Sequence, residues 1–241
     1  MTFGPQRTHD QLYLTAERHD EPKEMFKWIA VHAEARGALK KNKRVVDFGC
    51  AAGEFLYFLS RTYSGPIYMG VDVLDVLVEK ARTRSPSVTW QSGSVLEPDL
   101  VAKNSIDTAF LSGVLSIFDD YQPALDNLIS WTRPAGHIFV FGVFNPHPVD
   151  VWVKYRSVDE HAELHREPGW NVFSRKSIGA YLGGIDKVKD HIFHPFELPI
   201  DLEPHPSDPV RSWTFKDEQG LRVFTNGLSL MLNLELLEIR L

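Results

Sequence analysis

The sequence predicts an α/β fold: a doubly wound, mostly parallel sheet with an antiparallel C-terminal extension. Three observations predict it. Short apolar runs of strand length alternate with helix-period segments between Arg44 and Phe144. A glycine-rich turn joins the first of these strands to the next helix, and beyond Phe144 the alternation gives way to irregular chain and strand-turn patterns. Strands separated by helical segments of this length pair in parallel through right-handed crossovers, with helices on both faces.

The first nine residues read as an unanchored arm. Asp20-Glu21-Pro22-Lys23 then supplies an N-cap candidate, early acids and an early proline, and Met25, Trp28, Ile29, His32 and Ala33 follow at helical spacing, predicting a helix to about Leu39. Val45 to Phe48 is a short buried-strand pattern running into Gly49-Cys50-Ala51-Ala52-Gly53, and Phe55, Leu56, Phe58 and Leu59 mark a second helix. Strand Ile67 to Val73, helix Leu74 to Arg84, strand Val88 to Ser92, strand Ile106 to Leu111, helix Tyr121 to Thr132 and strand His137 to Phe144 continue the series, the last strand after a Pro134-Ala135-Gly136 turn.

Six of the ten histidines and more than half of the fifteen prolines lie beyond Phe144, where the regular alternation stops. Ser174 is placed to cap a helix to Leu182 that Gly183-Gly184 ends, and Lys187 to Phe196 is strand-like. The tail reads as antiparallel strands at Val210 to Phe215, Leu221 to Thr225, Leu228 to Leu232 and Leu236 to Leu241, with Asn226-Gly227 as a hairpin turn. The whole chain, 1–241, reads as one domain: arm and helix in 1–42, a ligand-binding core in 43–145, and a substrate-side insertion with antiparallel strands in 146–241.

Composition narrows the function. The chain is 43% hydrophobic and 24% charged with a net charge of −6, and no run of lysine or arginine exceeds two residues, which argues against nucleic acid as a partner. Apolar runs such as Ile138 to Val143 fall far short of the ~20 residues that cross a bilayer, and the first residues show no signal pattern, so no membrane partner and no export are expected. The single cysteine, Cys50, fits a reducing, cytoplasmic setting.

The strongest chemical signal is Val45-Val46-Asp47-Phe48-Gly49-Cys50-Ala51-Ala52-Gly53, between a strand and a helix. Gly49 and Gly53 allow a tight turn and close approach of a ligand, and the helix start offers unpaired N–H groups. A dinucleotide fingerprint would run G-x-G-x-x-G, which this is not. A carboxylate at the strand end suits a ligand carrying an ammonium group, directly or through water. This segment resembles motif I of the class I S-adenosylmethionine-dependent methyltransferases, D-x-G-x-G-x-G, with Ala51 in place of the middle glycine.

The resemblance implies the Rossmann-like methyltransferase fold, S-adenosylmethionine as cofactor with S-adenosylhomocysteine as product, and cofactor contacts for Asp47, Gly49, Cys50, Ala51 and Gly53. It covers residues 43 to 145. Asp72, followed by Val73, ends the second strand where the ribose hydroxyls are held, a position shared with NAD-binding folds; Asp72 or Asp75 could equally cap the next helix. Ser94 and Val95 resemble the adenine segment, where the family commonly has Gly-Asp, through either the Ser94 hydroxyl or backbone alone. Ser112 and Gly113 stand in the segment after the fourth strand. Asp119-Asp120 reads better as a helix-preceding loop than as a metal site, and no metal is expected.

Beyond the fifth strand, Asn145-Pro146-His147-Pro148 opens onto the crevice at the strands' carboxyl ends. His147 is the candidate general base, its alternative a surface histidine between prolines. Tyr155, Arg156 and Trp170 are candidates for gripping the acceptor, and Asn171, His191, His194 and Glu197 are further substrate-side candidates, all with packing as the alternative. His161 and His165 lack the H-E-x-x-H order of a zinc site. The expected function is methyl transfer to a small polar acceptor, with a hydroxyl of a sugar or related metabolite favoured. The alternatives are a non-catalytic S-adenosylmethionine-binding regulatory subunit and an NAD-dependent oxidoreductase. The hydrophobic tail could also pair two copies into a homodimer.

Overall fold

The computed structural model describes residues 21–156, 158, 166–206 and 208–241. The arm, Asp20, His161 and His165 lie outside the described residues. The elements, in chain order, are α1 (Glu24–Ala35), β1 (Arg44–Phe48), α2 (Glu54–Thr62), β2 (Ile67–Asp72), α3 (Asp75–Arg84), β3 (Thr89–Ser92), β4 (Ile106–Ser112), α4 (Gln122–Trp131), β5 (Thr132–Asn145), β6 (Lys154–Tyr155), β7 (Glu167–Pro168), β8 (Phe173–Ser174), α5 (Arg175–Gly183), β9 (Asp190–Pro195), β10 (Trp213–Lys216), β11 (Arg222–Thr225) and β12 (Leu234–Arg240).

The main sheet has the order β3-β2-β1-β4-β5-β12-β9. Strands β1 to β5 are mutually parallel, and β12 runs antiparallel to both β5 and β9. This is the doubly wound, mostly parallel sheet that the sequence predicts. Helix α1 buries Phe26, Ile29, Ala30 and Ala33, the i, i+3, i+4, i+7 stripe of an amphipathic helix. With α2 it packs on one face of the sheet, where Phe110, Phe139, Phe141 and Leu236 stand. Helices α4 and α5 cover the other face, over Phe48, Leu111, Val140 and Leu237. Fully buried Trp131 ends α4, stacks on Phe48 at 5.0 Å between centroids and donates Nε1–H to the Pro98 carbonyl at 3.0 Å.

Two expectations are corrected. The Pro134-Ala135-Gly136 turn is absorbed into β5, which starts at Thr132; a register shift opposite Ile106 and Thr108, with Ala135 at φ 62°, takes up the extra residues as a bulge. Asn226-Gly227 does not turn a hairpin. Asn226 Oδ1 accepts from the Leu228 N–H and the Gly227 N–H donates to the Pro209 carbonyl, so Leu228 to Leu232 forms no strand and touches β11 only at a Phe224–Leu232 bridge. The hairpin of the tail is β10–β11, turned at Asp217 to Gly220. Between Val151 and Ser174 the described residues form the short pairs β6–β7 and β8–β5 and a Val151–Val172 bridge. Ser174 does cap α5, its hydroxyl accepting from the Ser177 N–H.

Candidate functional site

Asp47, Asp72, Ser112 and Asn145 all lie at or next to the carboxyl ends of parallel strands, on one rim of the sheet. Between β1 and α2 the chain turns through three left-handed residues, Gly49 (φ 70°), Ala51 (φ 47°) and Gly53 (φ 80°). Space as well as conformation demands the glycines. A Cβ on Gly49 would stand 2.3 Å from Val114 Cγ2, and one on Gly53 2.5 Å from Trp90 Cη2. Trp90 also lies against Gly70, so one indole buttresses the turn from below, fixed by its Nε1–H to the Ser85 carbonyl at 2.9 Å. Arg84 donates to the Ala52 carbonyl at 3.1 Å. Sequence reasoning missed Trp90 and Val114 in these roles; the signal was glycine at 53 and 70 facing a strand that carries a tryptophan.

Asp72 holds the turn to β2. Its Oδ2 accepts from the Ala51 N–H at 2.8 Å and its Oδ1 from the Leu74 N–H at 3.0 Å, a turn just ahead of α3, whose start has no side-chain cap from Asp72 or Asp75. Asp47 is 3% exposed, and burial together with the charge of Asp72 pushes its carboxyl well above the usual carboxylate range. Burial, with Asp47 and Asp72 behind it, also pushes the Cys50 thiol up and keeps it neutral. Two buried carboxyl groups beside a left-handed turn make a place where a cationic ligand relieves repulsion.

Val73 follows Asp72 at the rim. Ser94 Oγ accepts from the Leu96 N–H at 3.2 Å, and buried Val95 offers its carbonyl to Asn127 at 2.8 Å. Across the turn, the Ser112 hydroxyl is buried without a hydrogen-bond partner, and a Cβ on Gly113 (φ 72°) would meet open space. A carboxylate pair suited to a cation, an orphaned hydroxyl and open space over a glycine fit a ligand of the adenosyl-sulfonium type.

The acceptor-side candidates are placed differently. Asn145 spends both ends of its amide on its own loop: Oδ1 accepts from the His147 N–H at 3.0 Å and Nδ2 donates to the Val149 carbonyl at 2.8 Å. His147 is exposed on that loop, Arg156 is exposed, and Tyr155 donates to Glu167 at 3.4 Å. Trp170 takes a left-handed conformation (φ 62°) and packs on the core beside α1. Asn171 is fully buried and bonded to the β4–α4 loop. His194 stands on β9, two strands beyond β5, and is bonded to Glu238 at 3.0 Å. Among the described residues no group of three or more metal-ligating side chains could hold a metal.

A parallel sheet with an acidic residue at the end of its first two strands and a left-handed turn between them defines a protein that binds a nucleoside-bearing ligand at its rim. The chain belongs to the methyltransferase domain family, whose model matches residues 18–184, and shares the Rossmann-like fold of the class I S-adenosylmethionine-dependent methyltransferases. That membership sets aside the nicotinamide reading. Phosphoethanolamine N-methyltransferase 1 of Triticum aestivum is 22% identical over 105 residues, which are 42% of this chain and 21% of that protein, so the chain spans about a fifth of the curated relative it matches. Among solved structures, a chain of the complex formed by the Haloferax volcanii Trm112 methyltransferase activator superposes with a TM-score of 0.62 at 16% identity, covering 98% of this chain and 99% of that one. The Haemonchus contortus phosphoethanolamine N-methyltransferase 2, in complex with phosphomonomethylethanolamine and S-adenosylhomocysteine, gives 0.52 at 15% identity over 70% of this chain and 38% of its own. These structural likenesses show the fold.

Proposed function

We propose that the chain transfers the methyl group of S-adenosylmethionine to a small polar acceptor. The observation that carries this reading is the buried pair Asp47 and Asp72 around the left-handed turn. The cofactor supplies a methyl group already activated on sulfonium. Asp47 attracts the ammonium of its methionyl part, and Asp72 takes the ribose hydroxyls. Gly49, Cys50, Ala51 and Gly53 present backbone to it, Val73 and Val95 pack on the adenine with Ser94 at its edge, and Ser112 and Gly113 border the transferring end.

We assign the acceptor as a hydroxyl of a sugar or related metabolite, with His147 accepting its proton; Asn145 shapes the His147 loop, and Tyr155, Arg156 and Trp170 surround the acceptor. An amine is the second reading, favoured by the wheat and Haemonchus relatives, both named as N-methyltransferases. Alignment of acceptor, methyl and sulfur supplies much of the rate, because well-oriented reactants gain roughly 7–11 kcal/mol. Pairing of two copies through the tail is the partner reading, decided by sedimentation of the purified chain.

Calorimetric titration with S-adenosylmethionine, S-adenosylhomocysteine and NAD in parallel tests the cofactor, with binding of the two adenosyl compounds alone expected. Asp47→Ala and Asp72→Ala should each weaken that binding by about 1.5–3 kcal/mol, the worth of a charge-assisted hydrogen bond. A folded Asp72→Ala protein with wild-type affinity removes the ribose assignment. An acceptor panel of sugars and amines, read by mass, follows: turnover lost in His147→Ala supports the hydroxyl reading, and binding without turnover on any acceptor supports the regulatory alternative.

A further inference from the structure

The loop between β4 and α4, residues 113–121, leaves the strand at Ser112 and passes over Gly49 through Val114. A 3-10 turn at Leu115–Ile117 holds it from within, with the Ile117 N–H donating to the Val114 carbonyl at 2.9 Å, and the rest of its support comes from outside. Three of its carbonyls accept hydrogen bonds from a segment more than thirty residues further along the chain: Ser116 from the Asn171 backbone N–H at 2.9 Å, Phe118 from Asn171 Nδ2 at 2.8 Å, and Asp119 from Trp152 Nε1 at 2.8 Å. Asn171 Nδ2 also reaches Asp119 Oδ1 at 3.3 Å, and its Oδ1 accepts from the Val153 N–H at 2.7 Å. Asn171 is 0% exposed, so its amide has no water to turn to and every one of its bonds is to protein.

Taking the reading of the rim as a methyl-donor site as its basis, we propose that Asn171 is a positioning residue. It holds the 113–121 loop in the form that faces the donor, and it locks to that loop the segment bearing Trp152, Tyr155 and Trp170. The chemistry of the residue matters because the site needs both faces of an amide. The oxygen satisfies a backbone N–H of its own segment, and the NH2 group satisfies a carbonyl and a carboxylate of the loop. Binding at the loop and order in the segment are thereby linked, and the linkage is reciprocal.

Two variants separate this role from mere packing. Asn171→Ala removes both faces. Asn171→Asp keeps the acceptor for Val153 but turns a carboxylate towards the Phe118 carbonyl and the Asp119 carboxylate. Adding Asp119→Asn to Asn171→Asp restores a donor opposite the new acceptor. The probe is S-adenosylhomocysteine, titrated calorimetrically, with amide hydrogen exchange of the unliganded protein alongside. Asn171→Ala and Asn171→Asp should each weaken binding roughly tenfold, the equivalent of about one hydrogen bond to a well-placed partner. Both should raise exchange across 113–121 while β1 stays protected, and the double variant should recover part of both effects, through the bond at residue 119 and not the one to the Phe118 carbonyl. Wild-type affinity and exchange in Asn171→Ala would overturn the proposal. Should Asn171→Ala not fold, a double variant no better than Asn171→Asp overturns it instead. A wild-type protein that does not bind S-adenosylhomocysteine defeats the donor-site reading, and the exchange comparison then still decides whether Asn171 holds the loop.

Discussion

Ala51 carries a side chain where the backbone is left-handed, at φ 47°, while its N–H is held by Asp72. That conformation costs an L-residue roughly 1–2 kcal/mol, part of which glycine would give back through its greater freedom in the unfolded chain. Ala51→Gly should therefore stabilise the protein by about 0.5–1 kcal/mol in urea unfolding, without loss of S-adenosylhomocysteine binding. At this scale the cofactor-side candidates were legible because their signals are local: a carboxylate at a strand end, glycines in a turn, an acid about twenty residues on. Asn171 was legible as a substrate-side candidate, but not as a residue that holds a loop. Its partners lie 52 and 53 residues away, and no spacing rule marks an amide that serves carbonyls at that distance.

Between elements, one lysine closes a helix from outside. Lys187 Nζ donates to Asn104 Oδ1 at 2.8 Å and to the carbonyls of Ile129 and Thr132, with Ser130 at 3.5 Å, so it gathers carbonyls where α4 passes into β5. Partial burial lowers its pKa, yet its donors are all used. Lys187→Met keeps the apolar stem and removes the charge, and should cost about 1.5–3 kcal/mol of stability by chemical denaturation. The elements from β1 to β5 were readable because β1 and β4 are nearly all buried and the strands lie between turn residues, which makes strand and helix periods easy to separate. The tail was not. Asn226-Gly227 has hairpin chemistry, but a bond to Pro209 from outside the segment decides its course, and the insertion of β12 between β5 and β9 leaves no trace in either strand's pattern.

Over the whole molecule, stability should depend on pH through a cluster beneath α1. Buried Glu238 accepts from Arg36 at 2.7 Å and meets His194 at 3.0 Å and His137 at 3.8 Å, with the His32 ring tilted against that of His194 at 4.6 Å between centroids. Burial acts upward on Glu238, but Arg36 and His194 hold its carboxyl below the usual range. Burial lowers both His32 and His137; His194 and Arg36 add to this for His32, and Arg36, Arg240 and Lys43 for His137, against the pull of Glu238. The folded protein thus keeps two histidines neutral that the unfolded chain protonates near pH 6.5. Their contribution is complete above that pH and is lost as pH falls below it towards their folded values. Melting temperatures taken from pH 8 to pH 5 should fall on the acid side, and His32→Phe, which keeps a ring against Trp28, should flatten the fall. The position of β12 has a consequence of another kind. It fills the gap between β5 and β9 but follows both in the chain, so during synthesis β5 waits with an open edge until Leu234–Arg240 emerges. At ribosomal rates of about 5–20 residues per second that wait is on the order of 5–20 s, with a long apolar strand able to template pairing with a neighbouring chain. Chains cut short of Leu234 should accordingly collect in aggregates and depend on chaperones, instead of accumulating as a smaller folded protein.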